Sequence, residues 1–161
     1  MNSIEKYFTD DRLQLGIGII ISVFSLIIAA FLYMLKRPVF AGMSYSIILL
    51  TLILLSVCVF LFIRTPKDLK RVSTFYQTTP EKMKTEELPR MEKVLKNFNW
   101  IIKTEICIII AGVFLFVSFG KNYLVRGISI GMVSQASILL IFDTIETERA
   151  KIYLEFLKSL A

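Results

Sequence analysis

The stretch Glu86–Gly120, EELPRMEKVLKNFNWIIKTEICIIIAGVFLFVSFG, decides the fold. Its apolar residues recur every three to four positions, first among charged residues and then in a nearly uncharged run. This spacing predicts one continuous helix whose first half lies in water and whose second half lies in a membrane. Glu105 falls on the same apolar stripe, a little more than a turn past Trp100. The sequence therefore predicts a carboxyl group on the packing face of this helix.

Three other segments are apolar enough to join this helix in a membrane. Residues 13–35 and 39–63 carry no charge, and each exceeds the roughly 20 residues that cross about 30 Å of hydrocarbon. The segments 100–120 and 123–145 are less uniform, but an aromatic residue and long basic side chains flank each of them. With 55% hydrophobic residues, the chain is predicted to be an all-α polytopic membrane protein. We expect one domain, residues 1–161, built as a four-transmembrane-helix bundle.

The basic residues predict how the chain is oriented. Fourteen Lys and Arg fall in the two tails and the loop 64–99, whereas four lie near the two short turns. By the positive-inside rule, both termini and this loop face the cytoplasm. The same distribution accounts for the net charge of +6, so nucleic acid is not an expected partner and the lipid bilayer is.

The loop 64–99 contains further helix signals. Thr65-Pro66 predicts that the second span ends and a short amphipathic helix begins, with Thr65 as its N-cap. That helix either holds the loop at the membrane surface or recognises anionic lipids. Thr85 is predicted to cap the long third helix, with Glu86 and Glu87 favoured by the helix dipole.

The last helix is predicted to extend beyond the membrane. Its apolar stripe continues past Phe142 as far as Leu160, with no Gly or Pro to interrupt it. The sequence therefore predicts a cytoplasmic C-terminal helix, 146–160, that pairs with the first half of the long helix. Together they form a cytoplasmic extension of helices 3 and 4.

Polar residues inside the spans are the first candidates for a functional site. An ionised carboxylate in hydrocarbon is costly, so Glu105 should face a neighbouring helix. Antiparallel pairing across the turn near Lys121 brings it close to Ser134, Gln135 and Ser137. This group is either a proton- or cation-binding site, or a hydrogen-bonded contact that fixes the register of helices 3 and 4.

Two further groups are candidates for packing or charge interactions. A cytoplasmic charge collar is predicted at the ends of the second and fourth spans, acting as a cation vestibule or as an interfacial ion-pair belt: Arg64, Asp143, Glu146 and Arg149. Small residues favour close helix contact, either inside the bundle or between copies of the chain. These helix-packing positions are Gly16, Gly18, Gly127 and Gly131.

The residues typical of catalysis are scarce. The chain has no histidine, the commonest general base and metal ligand, and no Cys/His cluster or phosphate-binding glycine loop. Cys58 and Cys107 fall inside spans, where reduced thiols behave as small apolar side chains. We therefore expect no enzymatic activity, no cofactor and no metal site.

Several short stretches resemble a known group of proteins. Arg64-Thr65-Pro66-Lys67-Asp68, Glu86–Met91 and Asn97-Phe98 resemble segments of small, uncharacterised bacterial inner-membrane proteins with four helices. The resemblance covers most of the chain and implies an inner-membrane location, but it brings no activity with it. The layout of four helices with both termini inside is also similar to that of immunity proteins that neutralise pore-forming toxins.

Two functional hypotheses follow from the sequence. The first is a non-enzymatic protein that acts through helix–helix interaction with another membrane protein, as an immunity protein or accessory subunit does. The second is a small homo-oligomeric ion channel or proton-coupled transporter with its site at Glu105. The absence of catalytic groups favours the first hypothesis, and the intramembrane carboxyl group favours the second.

Overall fold

A computed structural model describes residues 3–160, so both ends of the predicted domain 1–161 lie outside the described residues. The described chain is helical, without strands, and its elements are α1 (Ser3–Met34), α2 (Pro38–Thr78), a π-helical turn (Met83–Glu87), α3 (Leu88–Phe119) and α4 (Tyr123–Ser159). Four helices are long and apolar enough to cross a membrane, which indicates a membrane protein.

Short turns join α1 to α2 and α3 to α4. Lys36 takes a left-handed conformation with φ of 53°, and Pro38 then occupies the first position of α2. In the second turn, the side chain of Asn122 caps α4 by accepting hydrogen bonds from the backbone N–H groups of Leu124 and Val125. Each pair of helices is therefore antiparallel.

Glycines bring α2 and α4 into close parallel contact. A Cβ atom at Gly127 would overlap the carbonyl oxygen of Val39, and one at Gly131 would lie 2.7 Å from that of Met43. Gly42 of α2 meets the backbone of α4 in the same way. These contacts place both short turns at one end of the molecule, which we call the turn end. The opposite end, where the described chain begins and finishes, is the tail end.

The four helices do not pack equally. In the described chain, α2 packs against α1 and α4, and α3 packs mainly against α4. Along α3 from Trp100 to Phe119, Glu105 and Gly112 are the buried residues. A carboxyl group thus occupies one of the few buried positions of this segment.

The tail end has a compact apolar core to which all four helices contribute. The buried members of this tail-end core are Ile4, Phe8, Val72, Met83, Met91, Ala150, Tyr153 and Leu157. A second buried cluster, which includes Leu15, Leu54 and Leu139, lies between α1, α2 and α4 closer to the turn end. The helices therefore stay packed beyond the apolar segments 13–35, 39–63, 100–120 and 123–145.

Two predicted helix starts are wrong. α2 continues through Pro66 to Thr78, and Thr65 does not cap a new helix, because its hydroxyl donates to the Leu61 carbonyl and to Asp11. Burial of Val72 in the tail-end core offsets the cost of a proline inside a helix. Thr85 donates to the Glu81 carbonyl, and a π-helical turn leads into α3 in place of the expected cap.

Candidate functional site

Two acidic side chains meet between α3 and α4. Glu105 is 4% exposed, and its Oε2 atom has no hydrogen-bond partner within residues 3–160. Asp143 of α4 lies close enough to Glu105 for the two carboxyl groups to interact. Two ionised carboxylates in such a position repel each other, and one bound proton would relieve that repulsion. We call Glu105 and Asp143 the acid pair.

That Ser134, Gln135 and Ser137 surround Glu105 stays a prediction. Ser134 is exposed, and the hydroxyl of Ser137 donates to the Val133 carbonyl at 2.8 Å. Gln135 is two helical turns, about 12 Å, from Asp143 along α4. It follows Gly127 and Gly131 at intervals of four residues, so it lies on the side of α4 that packs against α2.

A second polar group lies between α2 and α4, nearer the turn end. Gln135 is buried with its Nε2 atom unpartnered, and the buried hydroxyl groups of Thr51 and Ser44 lack partners as well. The contacts of Gly127 with Val39 fix the register of the two helices. If the same register holds further along α2 and α4, Thr51 and Gln135 lie within about one helical turn of the same level.

Two more carboxyl groups lie on the tail-end side of the acid pair. Glu146 is 5% exposed with its Oε1 atom unpartnered, and Asp11 accepts a hydrogen bond of 3.0 Å from Thr65. Burial raises the pKa of Glu146 to about 8, reinforced by the charge of Asp11 and opposed by that of Arg149. Burial also raises the pKa of Asp11. Both groups therefore bind a proton more readily than an exposed carboxyl group does.

The four residues of the predicted charge collar have different partners and do not form one ion-pair belt in the described residues. Arg64 pairs with Asp68 on its own helix at 2.9 Å. Arg149 donates from Nη1 to the backbone carbonyl of Asp10 at 2.9 Å, at the open side of the tail end. Asp143, Glu146 and Asp11 with Arg149 therefore form a series of charged groups that leads from the acid pair toward solvent.

A separate ion cluster around the buried Glu87 stabilises the tail-end core, and the sequence analysis does not predict it. Glu87 is 1% exposed and pairs with Arg90 at 2.8 Å, with Arg71 at 3.8 Å, and with the hydroxyl of Tyr153, which donates to it at 3.4 Å. Burial alone would lower the pKa of Arg90, but its hydrogen bond and ion pair with Glu87 raise it. Glu87 was expected at an exposed first turn. The burial of Glu87 could have been predicted from its position four residues before Met91, on the apolar stripe that continues into α3.

The remaining predicted positions lie inside the packed helices. Gly18 is against Cys58 and Phe142, and Gly16 makes an ordinary contact with Phe62. Both cysteines are free thiols, and no cluster of three or more metal-binding side chains occurs in the described part of the chain.

No protein-family model, curated protein or solved structure matches this chain. The chemistry of the site is therefore argued from its own residues.

Proposed function

We propose that the protein is a small homo-oligomeric, proton-coupled channel or transporter in which the acid pair binds the transferred proton. The observation that carries this proposal is the burial of Glu105 against a second acid, Asp143, with one carboxyl oxygen left without a donor. Ionisable groups inside a membrane segment are costly and are found mainly where function requires them. A structural hydrogen bond would pair Glu105 with a donor, and its Oε2 atom has none among residues 3–160.

The series of carboxyl groups supports proton exchange with one side of the membrane. From the acid pair, Glu146 follows Asp143 by three residues on α4, and Asp11 of α1 interacts electrostatically with Glu146. Asp11 accepts a hydrogen bond from the buried Thr65, and the partly exposed Arg149 beside it donates to the backbone carbonyl of Asp10. Carboxyl groups with raised pKa values can accept and release protons near neutral pH.

Buried hydroxyl and amide groups support a continuation toward the turn end. Gln135, Thr51 and Ser44 lie in the packed interior with unpartnered polar atoms. Buried polar groups of this kind bind ordered water when space allows, and such water can relay a proton.

The packing of α3 supports self-association. Four helices are few for a monomeric transporter, and α3 packs mainly against α4 alone. Its other faces present Phe114, Val117 and Ile110 to the surroundings. A second copy packed there would cover the apolar face of α3 that points away from α4.

Proton flux in proteoliposomes tests the proposal. We expect the wild-type protein to conduct protons above the level of empty liposomes, and Glu105→Gln to abolish or strongly reduce that flux while remaining folded. Glu155→Gln, an exposed carboxyl group on the same helix as Asp143, is the matched control and should conduct as the wild type does. Absence of flux in the wild type, or equal flux in Glu105→Gln, would contradict the proposal.

A second candidate is helix–helix interaction with another membrane protein, of the immunity or accessory-subunit type. The exposed face of α3 favours it, since Val117 is 77% exposed and Trp100 and Phe114 lie open as well. The Gly127–Gly131 face is occupied by α2 and is therefore not available to a partner, whereas the outer face of α3 is. This candidate predicts that replacing Phe114 and Val117 with Ala abolishes the phenotype or complex, whereas Glu105→Gln leaves it intact. The opposite pattern would exclude it.

A further inference from the structure

We propose that a cavity between the tail ends of α1 and α4 binds the phosphate group of an anionic glycerophospholipid. The cavity has a volume of about 340 Å³, and its lining is mainly aromatic and aliphatic. Lys6 and Arg149 contribute two cations, and Asp10 contributes one carboxylate. A mostly apolar pocket with a few charged groups is the general form of a site for a small amphipathic ligand.

The charges favour an anion. Two basic side chains and one acidic one give the lining an excess of positive charge. Arg149 uses one N–H group on the backbone carbonyl of Asp10, and its guanidinium has further donors suited to phosphate oxygens. The exposed side chain of Lys6 supplies a second, mobile cation from α1.

The position of the cavity favours a lipid as the source of that anion. On α1, Lys6 and Asp10 lie on the same helical face as Leu13 and Ile17, which are exposed apolar residues of the segment 13–35. This face therefore continues directly from a lipid-exposed surface into the lining of the cavity.

The same continuity holds on α4. Ile141 and Ile145 are exposed in the segment 123–145, and Ile152, 68% exposed, follows them on that face and lines the cavity. Arg149 lies four residues beyond Ile145, about 6 Å along the helix, which corresponds to headgroup depth next to the hydrocarbon layer. An acyl chain lying along these isoleucines would bring its phosphate group to Arg149.

Aromatic rings form a rigid wall for the rest of the headgroup. Tyr7 and Tyr153 stack at 4.1 Å between ring centroids with planes 6° apart, and Phe156 stacks on Tyr153 at 6.4 Å. Burial raises the pKa of both tyrosines, so they stay neutral and present uncharged surface to the glycerol and the first methylene groups.

Native mass spectrometry of the full chain with added phosphatidylglycerol tests the inference. We expect specific binding to the wild type and about tenfold weaker binding for Lys6→Gln and for Arg149→Gln, the loss typical of one charge-assisted hydrogen bond. Lys151→Gln is the matched control, because Lys151 is exposed on α4 close to the cavity and pairs with Glu148. It should bind phosphatidylglycerol as the wild type does.

Three results would overturn the inference. Equal weakening in Lys151→Gln would indicate a general effect of surface charge. Equal binding of phosphatidylcholine would contradict recognition of an anionic lipid, and displacement of the lipid by inorganic phosphate alone would identify a free-phosphate site. Lys6→Gln is a surface substitution, so it keeps the test valid if Arg149→Gln fails to fold.

Discussion

Two buried glutamates on one continuous helical segment have opposite surroundings. Glu87, in the tail-end core, is paired with Arg90 and Arg71 and accepts a hydrogen bond from Tyr153. Glu105, about five helical turns further on, faces another acid and keeps an unpartnered oxygen. A buried charge with a full set of partners holds a structure together, whereas a buried acid without donors is suited to gaining and losing a proton.

The largest expected effect comes from making the same substitution at both sites. Glu87→Gln leaves the half-buried Arg90 without its ion-pair partner and should lower the free energy of unfolding by about 2–3 kcal/mol. Glu105→Gln is close in shape to a protonated glutamic acid and can donate to Asp143, so we expect a change of less than about 1 kcal/mol. Thermal unfolding in detergent measures both. Glu86→Gln, exposed and adjacent to Glu87, is the control.

Similar losses at the two sites would remove the distinction between them. A larger loss for Glu105→Gln would indicate that Glu105 is the structural residue.

The next effect is the pH dependence of stability. Because burial raises the pKa of Glu146 from 4.5 to about 8, the folded state binds its proton more tightly than the unfolded state. The contribution of Glu146 to stability should therefore be fully present below about pH 4.5 and be lost as the pH rises toward 8, by roughly 5–10 °C in Tm. Asp11, Asp143 and Arg149 face this group, and Asp11 shifts in the same direction.

Glu146→Gln isolates the contribution of that one carboxyl group. The variant should show a much flatter dependence of Tm on pH between 5 and 8 than the wild type, since the amide does not titrate. An unchanged slope would mean that other groups control the dependence.

The smallest expected effect compares two threonines on α2. The hydroxyl of Thr65 has two partners, Asp11 and the Leu61 carbonyl, so Thr65→Val should cost about 1–2 kcal/mol. The buried hydroxyl of Thr51 has no protein partner in the described residues, so Thr51→Val should cost less than Thr65→Val, below about 1 kcal/mol. Urea or thermal unfolding of the two variants measures the difference. A loss in Thr51→Val as large as that in Thr65→Val would contradict it.

The sequence predicts the apolar helices and the burial of Glu105, but it predicts less well which side chains contact each other. Uncharged length identifies the segments 13–35 and 39–63, and flanking aromatic and basic residues identify the other two. The apolar stripe places Glu105 on a buried face because helical periodicity is local. The sequence predicts the level at which α3 and α4 pair, since Gly112 lies against Ser129, Met132 and Val133. Which polar side chain of α4 reaches Glu105 depends on how the two helices are rotated against each other, and no local pattern contains that rotation.

The tail end was harder to predict for a related reason. Pro66 and Thr85 are local signals for helix ends, and tertiary packing overrides both. The burial of Glu87 depends on contacts with Arg71 and Tyr153 from two other helices, which no local pattern contains. The sequence did place Arg90 three residues after Glu87, the spacing of a helical ion pair.

Infrared difference spectroscopy of the carboxyl C=O stretch tests the central claim most directly. In lipid at neutral pH, with Glu146→Gln as the background so that Glu146 does not contribute, the account predicts a protonated-carboxyl band. That band should disappear when Glu105→Gln is added and should remain when Glu155→Gln is added. A spectrum without a protonated-carboxyl band, or one that Glu105→Gln leaves unchanged, would contradict the claim that the acid pair holds a proton.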